Sequence, residues 1–355
     1  MAFDKAKLSE IYKKVLANTT PQPQNKDDVV LIVDGMNNFL RCWAGSPIVD
    51  DNGIPNGGVA GFLLSLGEAI KLLKPTRVII IFDGKGGSAR RKKLYPDYKE
   101  KRTMPVRINR LDKESIDLGE EKNHMYAQMA KLMTLLKTLP VSIMTIDYIE
   151  ADDAIAYLCT GIFKNKAKML YIMSTDKDFY QLVSSSVNVW SPIKKCIYNE
   201  AKILEEFGIH PTNFPLYRIF AGDASDNITG VTGVGIKSVV KYFPFVKDST
   251  HKSINELIQY AKDRLNEGKI YTKTIDNLDV LNRNYTLMQL QNVDFSSVLQ
   301  TQIIDSMEKI YSYSKMDFMR YACDYAMITN IPNVNTWLSV CFDKLQHYAI
   351  NSDPK

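Results

Sequence analysis

The sequence predicts an α/β protein, a mostly parallel, doubly wound sheet that runs on into a helical C-terminal region. Three observations lead there. Short apolar runs of strand type, VVLIV (29–33), RVIIIF (77–82), VSIMTI (141–146) and MLYIMS (169–174), alternate with helical patterns. The first two runs end directly in an Asp-Gly pair, at Asp34 and Asp83. From about residue 199 the strand pattern stops and apolar residues recur at helical spacing.

Each element follows in order. Leu8, Ile11 and Val15 predict a short amphipathic helix over 3–17, and TTPQPQN is a Pro/Gln-rich linker, so residues 1–28 form an N-terminal helix and linker. The first strand leads into the helical pattern GGVAGFLLSLGEAIKLL. After the second strand, a polar stretch with weak helical pattern covers about 84–138. The third strand is followed by a helix over 152–163 and then by the fourth strand. This gives an α/β core over 29–198, a helical region over 199–320 and a helical tail over 321–355. In the tail, Trp337, Cys341, Leu345 and Tyr348 fall near helical spacing; core packing is the expectation and a docking helix for a partner the alternative.

Composition narrows the class. With 355 residues, 45% of them hydrophobic, the chain can bury a sizeable core. No apolar run reaches the length of about 18 residues that a membrane helix needs, and the charged N-terminus lacks the apolar region of a signal peptide. The cysteines (Cys42, Cys159, Cys196, Cys323, Cys341) are odd in number and never form a CxxC pair, which predicts a reduced, cytoplasmic protein without structural zinc.

Net charge is a modest +5, but ARRKKLYPDYKEKR (89–102) sets seven bases against two acids, with two tyrosines between them. Bases interleaved with aromatics suit a surface that neutralises phosphates and stacks bases. A solvated charged helix or a disordered arm would look the same taken alone.

The acids are the sharper signal. The third strand runs through Asp147 to Glu150, Asp152 and Asp153, and the fourth leads to STDKDF with Asp176 and Asp178. Parallel strands of one open sheet deliver their C-terminal ends to one rim, where sites form. A lone aspartate after a strand is ordinarily a helix cap or a turn residue. Four strand ends in agreement, and adjacent Asp152 and Asp153 where one cap suffices, point instead to a cation held between repelling carboxylates. The histidines and cysteines lie outside these motifs, so the donors are oxygens, which suits Mg²⁺ or Mn²⁺. Many carboxylates suggest two or more ions, an arrangement that can activate water and stabilise a leaving oxygen in phosphodiester cleavage.

FAGDASDNITGVTGVGIKSVVKYF (220–243) adds Asp223 and Asp226, which share a face if they lie on a helical turn. Gly230, Gly233 and Gly235 then precede Ile236-Lys237-Ser238, with Ile236 interrupting any Walker A pattern. The stretch reads as a helix–hairpin–helix turn that grips a DNA phosphate through backbone amides, or else as an ordinary glycine-rich turn.

Taken together, VDGMN, FDG, RRKKLYPDYKEKR, EADD, STDKDF and GDASDNITGVTGVGIKS resemble, in order, the motifs of the 5′ nuclease (flap endonuclease) family over about residues 29–320. Length and the lack of an attached polymerase are similar to its stand-alone, T-even-phage type ribonuclease H branch. The resemblance implies a PIN-like core, a helical arch over about 84–138 and the helix–hairpin–helix element. It implies metal binding by Asp34, Asp83, Glu150, Asp152, Asp153, Asp176, Asp178, Asp223 and Asp226, with Asp153 and Asp176 essential to catalysis. Lys99 and Arg102 would polarise the scissile phosphate, and Tyr98 would stack on a displaced base. Arg90, Arg91, Lys92, Lys93, Gly233, Gly235, Lys237 and Ser238 would complete the nucleic-acid contacts, with backbone carbonyls of the hairpin offering a seat for K⁺. Thr229 stands where many members have proline.

The implied activity is a Mg²⁺-dependent 5′→3′ exonuclease and flap endonuclease that removes RNA primers and adjacent DNA in replication. Its partners would be double-stranded and branched DNA, 5′ flaps, RNA–DNA hybrid, a sliding clamp and a single-stranded-DNA-binding protein. The chain would act without a membrane, as a monomer, in the host cytoplasm if its source is a phage. The rival readings are an inactive paralogue that binds branched DNA and a PIN-type ribonuclease.

Overall fold

The structure is a computed structural model that describes residues 29–102, 107, 118–309 and 311–345. The expected N-terminal helix and linker, most of the segment joining the two sides of the arch, and Tyr348 lie outside these residues.

Six strands form the main sheet: β1 (Val29–Asp34), β2 (Arg77–Asp83), β3 (Ser142–Ile146), β4 (Met169–Met173), β5 (Val187–Ser191) and β6 (Cys196–Tyr198). They run in the order β3-β2-β1-β4-β5-β6. Every pairing is parallel except that of β6 with β5. Val30, Leu31, Ile32 and Val33 are all at most 1% exposed, because helices cover both faces of a parallel sheet and leave no polar side for alternation. Chain order reverses between β1 and β4, so their C-terminal ends open a crevice at the switch point.

The sequence reading found β1 to β4 and missed β5 and β6. Asn188 interrupts the apolar run of VNVWS, and CIY is too short to carry a period. It also missed the helix Gly35–Gly45, which starts without an intervening loop because Asp34 is both the last strand residue and the helix cap. The helix Gly57–Leu73 matches the predicted segment residue for residue. That predicted over 152–163 is α-helical over Ala151–Tyr157 and widens to a π-turn over Leu158–Ile162.

The C-terminal half divides between the two faces. Side chains from 203 to 307, among them Phe214, Phe243 and Leu281, join Ala154 and Ile155 in the core on one face of the sheet. On the other face Phe318, Trp337, Leu338 and Phe342 pack with Phe39, Trp43, Phe62 and Leu66. Trp337, Cys341 and Leu345 are therefore core residues, at 5%, 1% and 1% exposure. Gly67 permits this closure, since a Cβ there would lie 2.4 Å from the Trp337 indole nitrogen. The expected boundary at 321 falls inside the helix Lys315–Asp324.

Candidate active site

The crevice between β1 and β4 is assembled from the ends of the strands. Asp34 is 6% exposed and accepts hydrogen bonds from the Asn37 amide (3.1 Å) and from Ser174 Oγ (3.0 Å), which ties the end of β1 to the residue after β4. Ser174 Oγ in turn accepts from the Asp176 amide, and Asp176 accepts from the Asp178 amide at 2.8 Å. Asp83, at the end of β2, caps the helix Ala151–Tyr157 by accepting from the Ala151 amide at 2.8 Å. Capping and clustering are thus not alternatives here: Asp34 and Asp176 cap the element that follows each, Asp83 caps the distant helix Ala151–Tyr157, and the charges of Asp83 and Asp176 act on Asp34.

Their proximity shows in their electrostatics. Burial, reinforced by the charges of Asp176 and Asp83, pushes the Asp34 carboxyl up to about 7. Burial and then Asp176, Asp34 and Asp83 push Asp152 well above the ordinary carboxylate range. Asp176 is raised too, by burial and by Asp223, against the pull of Arg218 and Lys99. Among the described residues no carboxylate of this quartet, Asp34, Asp83, Asp152 and Asp176, forms an ion pair.

Four of the remaining acids, Glu150, Asp153, Asp178 and Asp223, pair with protein cations. Arg91 is 4% exposed; it donates to both Asp153 oxygens at 2.7 and 2.9 Å, to Glu150, and to the Leu287 carbonyl at 2.8 Å. Lys99 Nζ lies 2.7 Å from the other Glu150 oxygen. Burial alone would raise Glu150, but Arg91 and Lys99 hold it below its ordinary value. Arg218 bridges Asp178 and Asp223, the latter at 2.7 Å. Asp223 is lowered, its burial outweighed by Ser225 and Arg218, whereas burial and Asp176 leave Asp178 raised to about 7. Burial raises Asp226 against the charges of Lys99 and Arg102.

Three expectations change. Arg91 is enclosed by carboxylates and cannot reach a phosphate, so it ties acids together rather than binding nucleic acid. Tyr98 is 2% exposed, packed against Ile228, Leu287 and Met288, so its ring has no free face for a base. Its hydroxyl bonds Glu150 and Asp226 at 3.1 Å each and joins the two acid sets. Asp223 and Asp226 do not lie on a helical turn. Gly222, at φ +67°, ends the helix Phe214–Ala221, and the chain folds into the two-residue ladder of β7 (Gly222–Asp223) and β8 (Ile228–Thr229). The Asp223 carboxylate then organises that turn through the Ser225 amide and hydroxyl.

Arg90, Lys92, Lys93 and Arg102 are exposed, as is Lys237, while Ser238 is half-buried. Gly233 takes φ +74°, and Gly235 leads into the helix Ile236–Tyr242. Lys273 fastens this turn by donating to the Thr232 carbonyl at 2.8 Å, and Arg283 holds the Thr229 carbonyl and hydroxyl at 3.2 and 3.1 Å. Sequence reasoning missed Ser174, Arg218, Lys273 and Arg283. Only Arg218 carried a signal, a lone charge in the otherwise apolar FPLYRIFA.

The donor chemistry of the quartet suits a hard divalent cation: the donors are carboxylate oxygens alone, with no protein cation paired to them among the described residues. Among the described residues no three Asp, Glu, His or Cys side chains cluster tightly; a Mg²⁺ ion would take one or two carboxylates of the quartet and complete its coordination with water.

The family model described as the 5′–3′ exonuclease N-terminal resolvase-like domain matches residues 29–208. The chain belongs to the 5′–3′ exonuclease family. It is similar to the 5′–3′ exonuclease of Aquifex aeolicus, 30% identical over 210 residues, which are 59% of this chain and 66% of that protein. The flap endonuclease Xni of Shewanella woodyi is 30% identical over 264 residues, 74% of this chain and 92% of that one. A structure of the bacteriophage T5 flap endonuclease shares the fold with a TM-score of 0.59, at 20% identity, over 85% of this chain and 100% of its own. This member of the 5′–3′ exonuclease family is therefore an enzyme, a 5′–3′ nuclease. No helix among the described residues is long and apolar enough to cross a membrane.

Proposed function

We propose that the chain is a divalent-metal-dependent, structure-selective 5′→3′ exonuclease and flap endonuclease. Its substrates are double-stranded and branched DNA, 5′ flaps and RNA–DNA hybrid, and it removes RNA primers and adjacent DNA during replication. The observation that carries this reading is the division of the rim acids, in which arginines neutralise some and leave the quartet uncompensated. The T5 structure, described as a complex with DNA and metal ions, supports it.

Mg²⁺ or Mn²⁺, two or more ions, would be held first by Asp34, Asp83, Asp152 and Asp176, with Glu150, Asp153, Asp178, Asp223 and Asp226 around them. Such ions, when bound, supply Lewis-acid activation and charge neutralisation at the phosphodiester. Lys99 is held protonated by Glu150 and Asp226, so it offers a fixed positive charge that offsets charge developing on the phosphate. Arg102 and the exposed Arg90, Lys92 and Lys93 neutralise neighbouring phosphates. Gly233, Gly235, Lys237 and Ser238 grip the duplex backbone, with K⁺ at the turn carbonyls. The enzyme acts as a monomer in the cytoplasm, of the host if its source is a phage, alongside a sliding clamp and a single-stranded-DNA-binding protein.

All nine expected carboxylates are present, which favours an active nuclease over a binding paralogue. The test is digestion of a 5′-labelled flap, an RNA–DNA hybrid and plain single-stranded RNA, in Mg²⁺ and in EDTA. The flap and the hybrid should be cut from the 5′ end only in Mg²⁺, and the free RNA spared. Equal cutting of free RNA would make the chain a PIN-type ribonuclease, and tight flap binding without cutting would make it a binding module.

A further inference from the structure

Away from the acids, a cavity of about 690 Å³ opens between the helices Gly35–Gly45 and Gly57–Leu73, the β5–β6 turn and Trp337 of the tail. Its size falls within the range of ligand and peptide sites, roughly 300–1,000 Å³.

Three cations line it, Arg41, Lys71 and Lys195, against one acid, Glu68. Lys195 pairs with Glu68 at 2.7 Å in an exposed bridge. Among the described residues no carboxylate pairs with Lys71 or Arg41. Arg41 bonds Asn38 and Ser65 Oγ, and its Nε is shut off from water with no hydrogen-bond partner. The cavity therefore carries an excess of positive charge, which favours a carboxylate-bearing guest.

The walls decide which guest. Leu64, Leu72 and Pro192 give an aliphatic surface, and Leu72 is 54% exposed although its helix is mostly buried. Trp337, the aromatic residue of the lining, is 5% exposed and shows no face on which a base could stack. Single-stranded nucleic acid needs such a face, whereas an aliphatic wall beside unpaired cations suits an acidic peptide with a bulky apolar side chain.

We propose that this groove docks an acidic, apolar-anchored peptide segment of a partner protein. It stands apart from the acidic rim and does not depend on the nuclease reading.

The test is fluorescence anisotropy with the full chain and a fluorescein-labelled peptide, Glu-Glu-Asp-Leu-Phe-Asp-Glu. A control peptide has Gln and Asn for its acids, and a short oligothymidylate serves as competitor. Lys71→Glu and Lys195→Glu should each weaken binding about tenfold or more, with the effect fading in salt. Leu72→Ser should weaken it with little change in the salt dependence. All three lie on the surface and should leave flap cleavage and thermal melting unchanged. The control peptide should bind no better to the parent than the acidic peptide binds to the charge-reversed variants. Unchanged affinity in those variants, equal binding of the control peptide, or no binding at all would overturn the proposal. Displacement by oligothymidylate would do so as well, assigning the groove to nucleic acid.

Discussion

Glu150 and Asp153 share a buried guanidinium, whereas Asp34 and Asp152, on the same rim, face other carboxylates. The two sets use the same chemistry for opposite ends. The paired acids are structural joints: through Arg91 they connect the basic segment, the helix Ala151–Tyr157 and the Leu287 carbonyl of the helical region. The unpaired acids make only neutral hydrogen bonds, as Asp34 does to Ser174 and Asp83 to the Ala151 amide, and the burial and mutual repulsion of Asp34 and Asp152 cost stability until a cation relieves them. A site that must accept a cation needs both: a frame already neutralised, and a charge left over.

The largest test of this division is substitution within it. Asp152→Asn and Asp176→Asn should each reduce flap cleavage on the order of 10³-fold by removing charge that the reaction uses. Neither should lower the melting temperature measured in EDTA, and Asp152→Asn should raise it because a repelling charge is gone. Asp153→Asn should lower it, since Arg91 loses its bidentate partner. Equal melting shifts in all three variants would erase the distinction.

Arg91→Met probes the paired set directly. Leaving Glu150 and Asp153 without their guanidinium should destabilise the fold by about 3–5 kcal/mol, read by urea unfolding. Lys92→Ala should instead leave unfolding unchanged and weaken duplex binding modestly, with a shallower salt dependence. A loss of duplex affinity in Arg91→Met without loss of stability would return Arg91 to the nucleic-acid surface.

The smallest effect, and the one that sharpens the contrast, is the pH profile in EDTA. Asp34 rises from 3.8 to about 7, so between those values the folded state keeps a proton that the unfolded state has released. Stability should therefore fall as pH rises through that window. Glu150 is lowered instead, so its contribution is present above its ordinary 4.5 and is lost as pH falls below it. The acid arm of the profile reports Glu150, and the near-neutral arm reports Asp34 together with Asp178, which is also raised to about 7. Calorimetry across this range should show the near-neutral arm flatten on adding Mg²⁺, while the acid arm persists.

Much of the fold could be read from residue pattern. The runs ending at Asp34 and Asp83 read as buried strands because they are short, unbroken and rich in Val and Ile, and GGVAGFLLSLGEAIKLL is a helix along its whole length. What escaped did so for different reasons: CIY is three residues and too short to show a period, whereas Gly35–Gly45 has Met36, Phe39, Leu40 and Trp43 at helical spacing but follows its strand with no loop between them. In the site, every acid was named, but Tyr98 and Arg91 were turned outward. A basic, aromatic stretch reads as surface by composition, and nothing within it shows that two of its members point inward.

The sequence by itself determined that the acids gather. Parallel strands of one sheet share a C-terminal rim, so an acid after each strand arrives there whatever the loops do. Only the tertiary structure decided which acids are neutralised. Arg91 meets Asp153 across 62 residues, and Arg218 meets Asp178 across 40. Such pairings depend on how helices seat on the sheet, because a guanidinium fork binds a carboxylate only when packing brings both to one place in the right orientation.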